Sequence, residues 1–317
     1  MIIRQLFFGA ILLILPLGLS QADWLSTTYR SPSYELILLQ PKIIGGREAN
    51  QGDDPWQVAL IRGNNYGPDR RPFCGGVLIA ASWVLTAAHC IGKDARASQI
   101  SVLVGSTDVG TYGGARRIEV KAVHVNPLYL AAVPPVDDIP GQPPRHDLAL
   151  LQLASSATGS NTDTIRILPL EEEDKALAPQ SNARVTGWGA TSPGAKEGVR
   201  DLRTVDLKIV SRETCNDIVS YDGRIPDYMV CAGFSNPKST NGQDSCQGDS
   251  GGPLTVRLAD NRRYLAGIVS WGEGCAIRER PGVYTTVARY SAWIADCQQG
   301  RETCTTKTSV ALNTNGE

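Results

Sequence analysis

Neither sign of charge is in excess in this chain: 31 Lys and Arg face 32 Asp and Glu, for a net charge of −1. That leaves no basic footprint for nucleic acid or an anionic membrane surface, so neither is expected as a partner. Beyond the first 22 residues no apolar run is long enough to span a bilayer. There is no CxxC pair, no Cys/His cluster of zinc type, no internal repeat and no N-x-S/T sequence. Histidine is scarce, with three residues, so any acid–base chemistry that needs an imidazole has few places to reside.

What is present begins with an export signature. Arg4 supplies a positive start, residues 6–19 are apolar with Pro16 among them, and "SQA" ending at Ala22 offers small residues for cleavage. A signal peptide is expected over 1–22, with a secreted, extracellular mature chain (periplasmic or exported in a bacterium). Export changes how the eight cysteines read, at 74, 90, 215, 231, 246, 275, 297 and 304. An even number in an exported chain implies four disulfides, whose pairing the count leaves open.

A segment without cysteine precedes Lys42, and the globular part is expected from Ile43. Short Val/Ile-rich runs predict strands at 56–62, 76–80, 82–86, 100–104, 117–124 and 148–153. A second set is predicted at 184–187, 202–210, 229–232, 254–257, 264–270 and 282–286. Two such sets favour two antiparallel β units over βαβ units. A helix is expected over 290–299, stopped by Gly300, and a disordered polar tail from Thr305. A Pro-rich insert, "AAVPPVDDIPGQPPRH", fills 131–146.

The stretch "NGQDSCQGDSGGP" at 241–253 is made of turn residues, and a surface loop would account for most of them. A reactive serine needs an adjacent base, usually a histidine oriented by a carboxylate. His89 ends an apolar strand beside Cys90, while His146 precedes Asp147, which opens another apolar run. A carboxylate at that place is costly unless paired and hydrogen-bonded. Asp137 and Asp138 are rival carboxylates, but no apolar strand follows them directly.

"IIGG" at 43–46, "LTAAHC" at 85–90, "HDLALLQL" at 146–153, "TGWG" at 186–189, "DSCQGDSGGP" at 244–253 and "SWGEGC" at 270–275 occur in that order. Together they resemble the chymotrypsin/trypsin family of serine endopeptidases, over about 43–296. The resemblance implies an all-β fold of two antiparallel six-stranded barrels, 43–165 and 166–298, with the active site between them, a short C-terminal helix and a tail over 299–317. It implies Ser250 as nucleophile, His89 as general base and then acid, and Asp147 as the group that orients His89. The N–H groups of Gly248 and Ser250 would form the oxyanion hole. Asp244 would lie at the base of a pocket for substrate Arg or Lys, between Gly272 and Gly282. Residues 23–42 would be an activation propeptide, cut between Lys42 and Ile43 by a trypsin-like protease or by the enzyme itself. The new α-ammonium of Ile43 would then pair with Asp249. Protein protease inhibitors are further expected partners. The alternative reading is a non-catalytic serine protease homologue that acts as a binding module.

Resemblance also pairs Cys74 with Cys90, Cys215 with Cys231, and Cys246 with Cys275. Cys297 and Cys304 match no common pair of the family. On a continuous helix their Cα atoms would stand about 10 Å apart, too far for a bridge, so a turn at Gly300 is required if they join. An intrachain bridge is expected, with an intermolecular link as the alternative. No tethering cysteine stands at Ile167, so the propeptide should leave after activation. Loop 106–116 has no acidic pair of the trypsin calcium type, and Pro281 stands where sodium-regulated relatives carry Tyr; no cofactor or metal is expected. The Pro-rich insert is expected to border the cleft and restrict which protein bonds enter it.

Overall fold

The first strand set closes on itself, because the strand at 100–104 returns to pair with the strand at 57–62. In the computed structural model β1 (Arg47–Glu48) precedes β2 (Gln57–Arg62), β3 (Cys74–Ala80), β4 (Trp83–Thr86), β5 (Ile100–Val104), β6 (Arg116–Val125) and β7 (Ala149–Leu153). Strands β2 to β7 form a closed antiparallel barrel in the order β2-β3-β4-β7-β6-β5. The structure describes residues 46–62, 72–92, 96–110, 114–135, 141–190, 198–233, 244–245, 248–274, 277 and 279–305.

The second set comprises β8 (Arg166–Ile167), β9 (Asn182–Gly187), β10 (Arg203–Val210), β11 (Met229–Gly233), β12 (Pro253–Arg257), β13 (Arg263–Trp271) and β14 (Gly282–Thr286). Pairing runs β10-β11-β14-β13-β12-β9, and β9 returns to β10, so this sheet closes as well. The two-residue strands lie outside the closed rings: β1 pairs with β10, and β8 runs parallel to β13. These were the two strands that sequence pattern missed, being too short to show a period.

Side-chain alternation explains how the barrels meet. Along β2 and β5, Val58, Leu60, Val102 and Val104 point into the first barrel's core. Their neighbours Ala59, Ile61 and Leu103 form a separate buried cluster with Trp188 and Leu202 of the second sequence half. Period-two alternation puts successive residues on opposite faces, and here both faces are covered. Each buried Val, Leu or Ile among them contributes about 1.5–3 kcal/mol by leaving water. A buried hydrogen bond from Thr186 Oγ1 to Gln57 Oε1, 2.6 Å, also crosses between the halves.

The C-terminal helix, Ser291–Gln298, follows β14 but packs elsewhere. Its Trp293, Ile294 and Cys297 join Leu148, Leu150 and Val120 of the first barrel in one cluster. The helix ends before Gly300, whose φ of 68° turns the chain back. Cys304 thereby reaches Cys297, and the two are joined with Cα atoms 4.7 Å apart. Disulfides also join Cys74 to Cys90 and Cys215 to Cys231. Among the described residues no helix is long and apolar enough to cross a membrane.

Candidate functional site

His89 sits in a single helical turn, Ala88–Ile91, that leaves the buried end of β4. The Cys74–Cys90 bridge ties that turn to β3. Asp147 comes just before β7 and is fully buried. Its carboxylate is met from three directions. The His89 N–H donates to Oδ1 at 2.8 Å, the His89 ring Nδ1 stands 2.7 Å from Oδ2, and the Ser270 hydroxyl donates to Oδ2 at 2.6 Å.

A charged carboxylate accepts at all three contacts, so Nδ1 carries the proton toward Asp147 and Nε2 keeps its lone pair. Burial by itself would lower the imidazole pKa of His89. The hydrogen bond to Asp147 and its negative charge outweigh that cost, and the pKa is raised above 6.5. The ring is still about a third exposed, with 32% side-chain accessibility, so a reactant can approach it.

The backbone behind Asp147 is held by its predecessor. His146 lies at φ 50°, a left-handed conformation unusual for a residue with a side chain. There its carbonyl accepts the Leu148 N–H at 2.8 Å, its ring stacks on Tyr228 with centroids 4.0 Å apart, and its Nδ1 lies 2.8 Å from the Tyr290 hydroxyl.

Ser250 is supplied by the second barrel and clipped to the first. Its carbonyl accepts the Gly75 N–H at 2.8 Å, and the following Gly251 N–H donates to Val269 O at 2.9 Å. Gly248, two residues earlier, has φ 98°, and a Cβ there would lie 2.9 Å from the Gly189 Cα. Only glycine takes that turn without strain or collision. Asp249 between them is fully buried and accepts the Gly189 N–H at 2.8 Å. A Cβ on Gly189 would lie 2.6 Å from its carboxyl carbon, and one on Gly187 would collide with its Oδ1, which accounts for both glycines of "TGWG".

Asp244 is 3% exposed and gathers with Tyr284 and Ser245 around Gly282. A Cβ on Gly282 would stand 2.9 Å from Asp244 Oδ1, 2.9 Å from the Tyr284 hydroxyl and 3.0 Å from Ser245 Oγ. The two hydroxyls are 3.0 Å apart. Gly272 faces the same space, since its Cβ would be 3.9 Å from the Gly282 Cα and 4.0 Å from the Tyr221 hydroxyl. Burial raises the Tyr284 phenol well above 10, and the Asp244 charge adds to the rise. Tyr221 is pushed up to about 12, first by burial, with a hydrogen bond donated by the Glu273 N–H to its oxygen opposing the rise and Asp244 contributing to it.

His89, Asp147, Ser250, Gly248, Asp249, Asp244, Gly272 and Gly282 are therefore all placed. Lys42, Ile43, Cys246, Cys275, Asp137, Asp138 and the segments 1–45, 111–113 and 306–317 lie outside the described residues. Ser270, within "SWGEGC", is a functional residue that the sequence pattern does not reveal. Ser270 faces Asp147 where the β13–β14 register shifts between Val269 and Trp271, and an irregularity that re-aims one side chain leaves no sequence period. Ser245, Tyr284, Tyr221 and the His146, Tyr228, Tyr290 group were likewise unassigned.

Among the described residues two His/Cys groups bring their ligand atoms within 4.8 Å, Cys74 with His89 and Cys90, and His124 with Cys297 and Cys304. The sulfurs in each are joined as disulfides and offer no thiolate to an ion.

Comparison with known proteins agrees with this geometry. The family described as Trypsin matches residues 43–294. The serine proteinase stubble of Drosophila melanogaster is 37% identical over 265 residues, covering 81% of this chain and 31% of that protein. The chain thus spans less than a third of that relative's length. With a match across most of its own length, the chain belongs to the trypsin family of serine proteases.

Proposed function

We propose that this chain is a secreted trypsin-like endopeptidase, made as a zymogen and cutting after Arg or Lys. The single observation that carries the reading is the buried Asp147 carboxylate, held by His89 and Ser270 at 2.6–2.8 Å while the His89 ring remains open to solvent. A buried charge with three donors is a positioning device, and it presents Nε2 as a base.

In the proposed cycle His89 Nε2 takes the Ser250 hydroxyl proton as the oxygen attacks the scissile carbonyl. The oxyanion is held by the Gly248 and Ser250 N–H groups. The imidazolium, stabilised by Asp147, gives its proton to the leaving amine, and water then resolves the acyl-enzyme by the same route. The collection of Asp244, Ser245 and Tyr284 oxygens beside Gly282 supports a pocket for a long cationic side chain. A buried carboxylate there would penalise apolar side chains.

Activation is assigned to cleavage between Lys42 and Ile43. The complete burial of Asp249 supports it, because a carboxylate away from water favours a cationic partner such as a new α-ammonium. The deciding experiment treats purified chain with trypsin, sequences the new N-terminus and assays Arg, Lys, Phe and Ala peptide amides. A terminus at Ile43 with Arg and Lys cleavage supports the proposal. Correct processing with no hydrolysis of any amide would instead favour the non-catalytic homologue.

A further inference from the structure

Arg289 is a buried cation that the proposed cycle does not use. It is 7% exposed, and it donates from Nε to Glu173 Oε1 at 2.8 Å and from Nη1 to Asp227 Oδ2 at 3.1 Å. Glu173 is buried as well. Desolvation offsets much of what such buried pairs gain, so stability alone does not account for them.

The paired residues each stand next to a tyrosine. Asp227 precedes Tyr228, and Arg289 precedes Tyr290 just ahead of the C-terminal helix. Both rings close on His146. Tyr228 stacks on its imidazole with centroids 4.0 Å apart and planes 22° from parallel, and the Tyr290 hydroxyl stands 2.8 Å from Nδ1. Tyr228 is fixed further where its carbonyl accepts the Thr286 N–H at 3.0 Å. Among the described residues the charges acting on the His146 ring are Arg145 and Asp227. Burial first, and then Arg145, lower its pKa against the pull of Asp227, so the ring is neutral near pH 7. Burial also keeps the Tyr290 phenol protonated, so that it can donate to Nδ1.

We infer that Arg289 and His146 are positioning residues for the proteolytic reaction proposed above, and that they act through the Asp147 carboxylate. A side chain in the left-handed region keeps that conformation where its surroundings hold it there. The two tyrosines hold His146 at φ 50°, and its carbonyl accepts the Leu148 N–H at 2.8 Å across Asp147. Asp147 is thus the middle residue of a three-residue turn whose first member is clamped. Rotation of His146 would swing the carboxylate away from His89 Nδ1 and Ser270 Oγ, which stand 2.7 and 2.6 Å from its Oδ2. The Arg289 guanidinium ties together the chain segments that carry the two tyrosines, and so sets the gap in which the His146 ring sits.

The test reads His89 directly as well as turnover. Three histidines are few enough for isotope-edited imidazole NMR to follow each titration separately. His146→Gly tolerates the positive φ but removes the clamp. Its kcat on a single-residue Arg amide should fall about a hundredfold at unchanged KM, because a small misplacement of the constellation is that costly. The His89 pKa, raised in the wild-type protein by Asp147, should drop in the same variant. Tyr290→Phe removes one hydrogen bond and should lower kcat about fivefold. Glu173→Gln/Arg289→Met removes both buried charges together and should fall between these two; an unchanged kcat there removes Arg289 from the role. In an Asp147→Asn background His146→Gly should cost nothing further, since the two substitutions break one path. A purely structural role would lower the urea midpoint and leave kcat per folded molecule and the His89 pKa unchanged, and that result overturns the inference. So does a hundredfold loss that persists in the Asp147→Asn background. If the wild-type protein cleaves no Arg amide, the proteolytic reading fails, and the His89 titration alone still decides whether His146 sets the place of Asp147.

Discussion

The Asp147 carboxylate sets the protonation behaviour of His89, and two substitutions measure it. Asp147→Asn removes both the charge and the correct acceptor, and kcat should fall about 10⁴-fold, a magnitude taken over from the family. The pH profile carries the sign. A general base must be neutral, and the raised pKa of His89 means that kcat/KM should fall as the pH drops through a value above 6.5. With the aspartate charge gone, burial acts unopposed and the acid limb should move to lower pH. A limb that stays in place would separate His89 from Asp147 in function. Ser270→Ala removes one hydrogen bond to a charged group, and kcat/KM should fall about tenfold. At the pocket, Asp244→Ser should lower Arg and Lys cleavage by about 10⁴-fold or more, while titration of Ser250 by an organophosphate persists. Unchanged Arg cleavage would remove Asp244 from the pocket.

At the scale of elements, the most informative one is the C-terminal helix with its bridge. The turn at Gly300 brings Cys304 back under Trp293, whose indole N–H donates to the Cys304 carbonyl at 3.1 Å. This seals a cluster shared with β6 and with Leu148 and Leu150 beside Asp147. Closing so short a loop restricts the unfolded chain, and losing the bridge in Cys297→Ser/Cys304→Ser should cost about 2.5 kcal/mol. The check is the urea midpoint at constant m-value against the wild-type protein. The strands themselves were legible in advance: the runs at 100–104 and 282–286 form β5 and β14 with those limits. Short β-branched runs between turn residues have few alternatives. Irregular positions were not legible, as Ser270 at the β13–β14 register shift illustrates, since its direction depends on the strand beside it.

For the molecule as a whole, activity should depend on processing. Lys42→Gln should leave the chain inactive after exposure to trypsin, read by hydrolysis of an Arg amide and by N-terminal sequencing; full activity of the uncut variant would refute the zymogen scheme. The processed enzyme should lose activity at alkaline pH as an α-amino group with pKa ~8 gives up the proton it needs to pair with Asp249. The described His89, Asp147 and Ser270 contacts span both halves of the chain, with residues separated by 58 and 123 positions brought within 2.7 Å.

Local chemistry explains what the amino-acid sequence determined alone: two sets of strands, the glycines a tight turn requires, and motifs whose order identifies the family. The tertiary structure decided the rest. Which hydroxyl faces Asp147, which oxygens surround Gly282, where the C-terminal helix packs and which apolar side chains stay in water all depend on contacts between distant segments. Such contacts are settled by close packing, as where one face of β2 and β5 fills the first barrel's core and the other packs on Trp188 and Leu202, because a dense interior leaves each side chain few alternative neighbours.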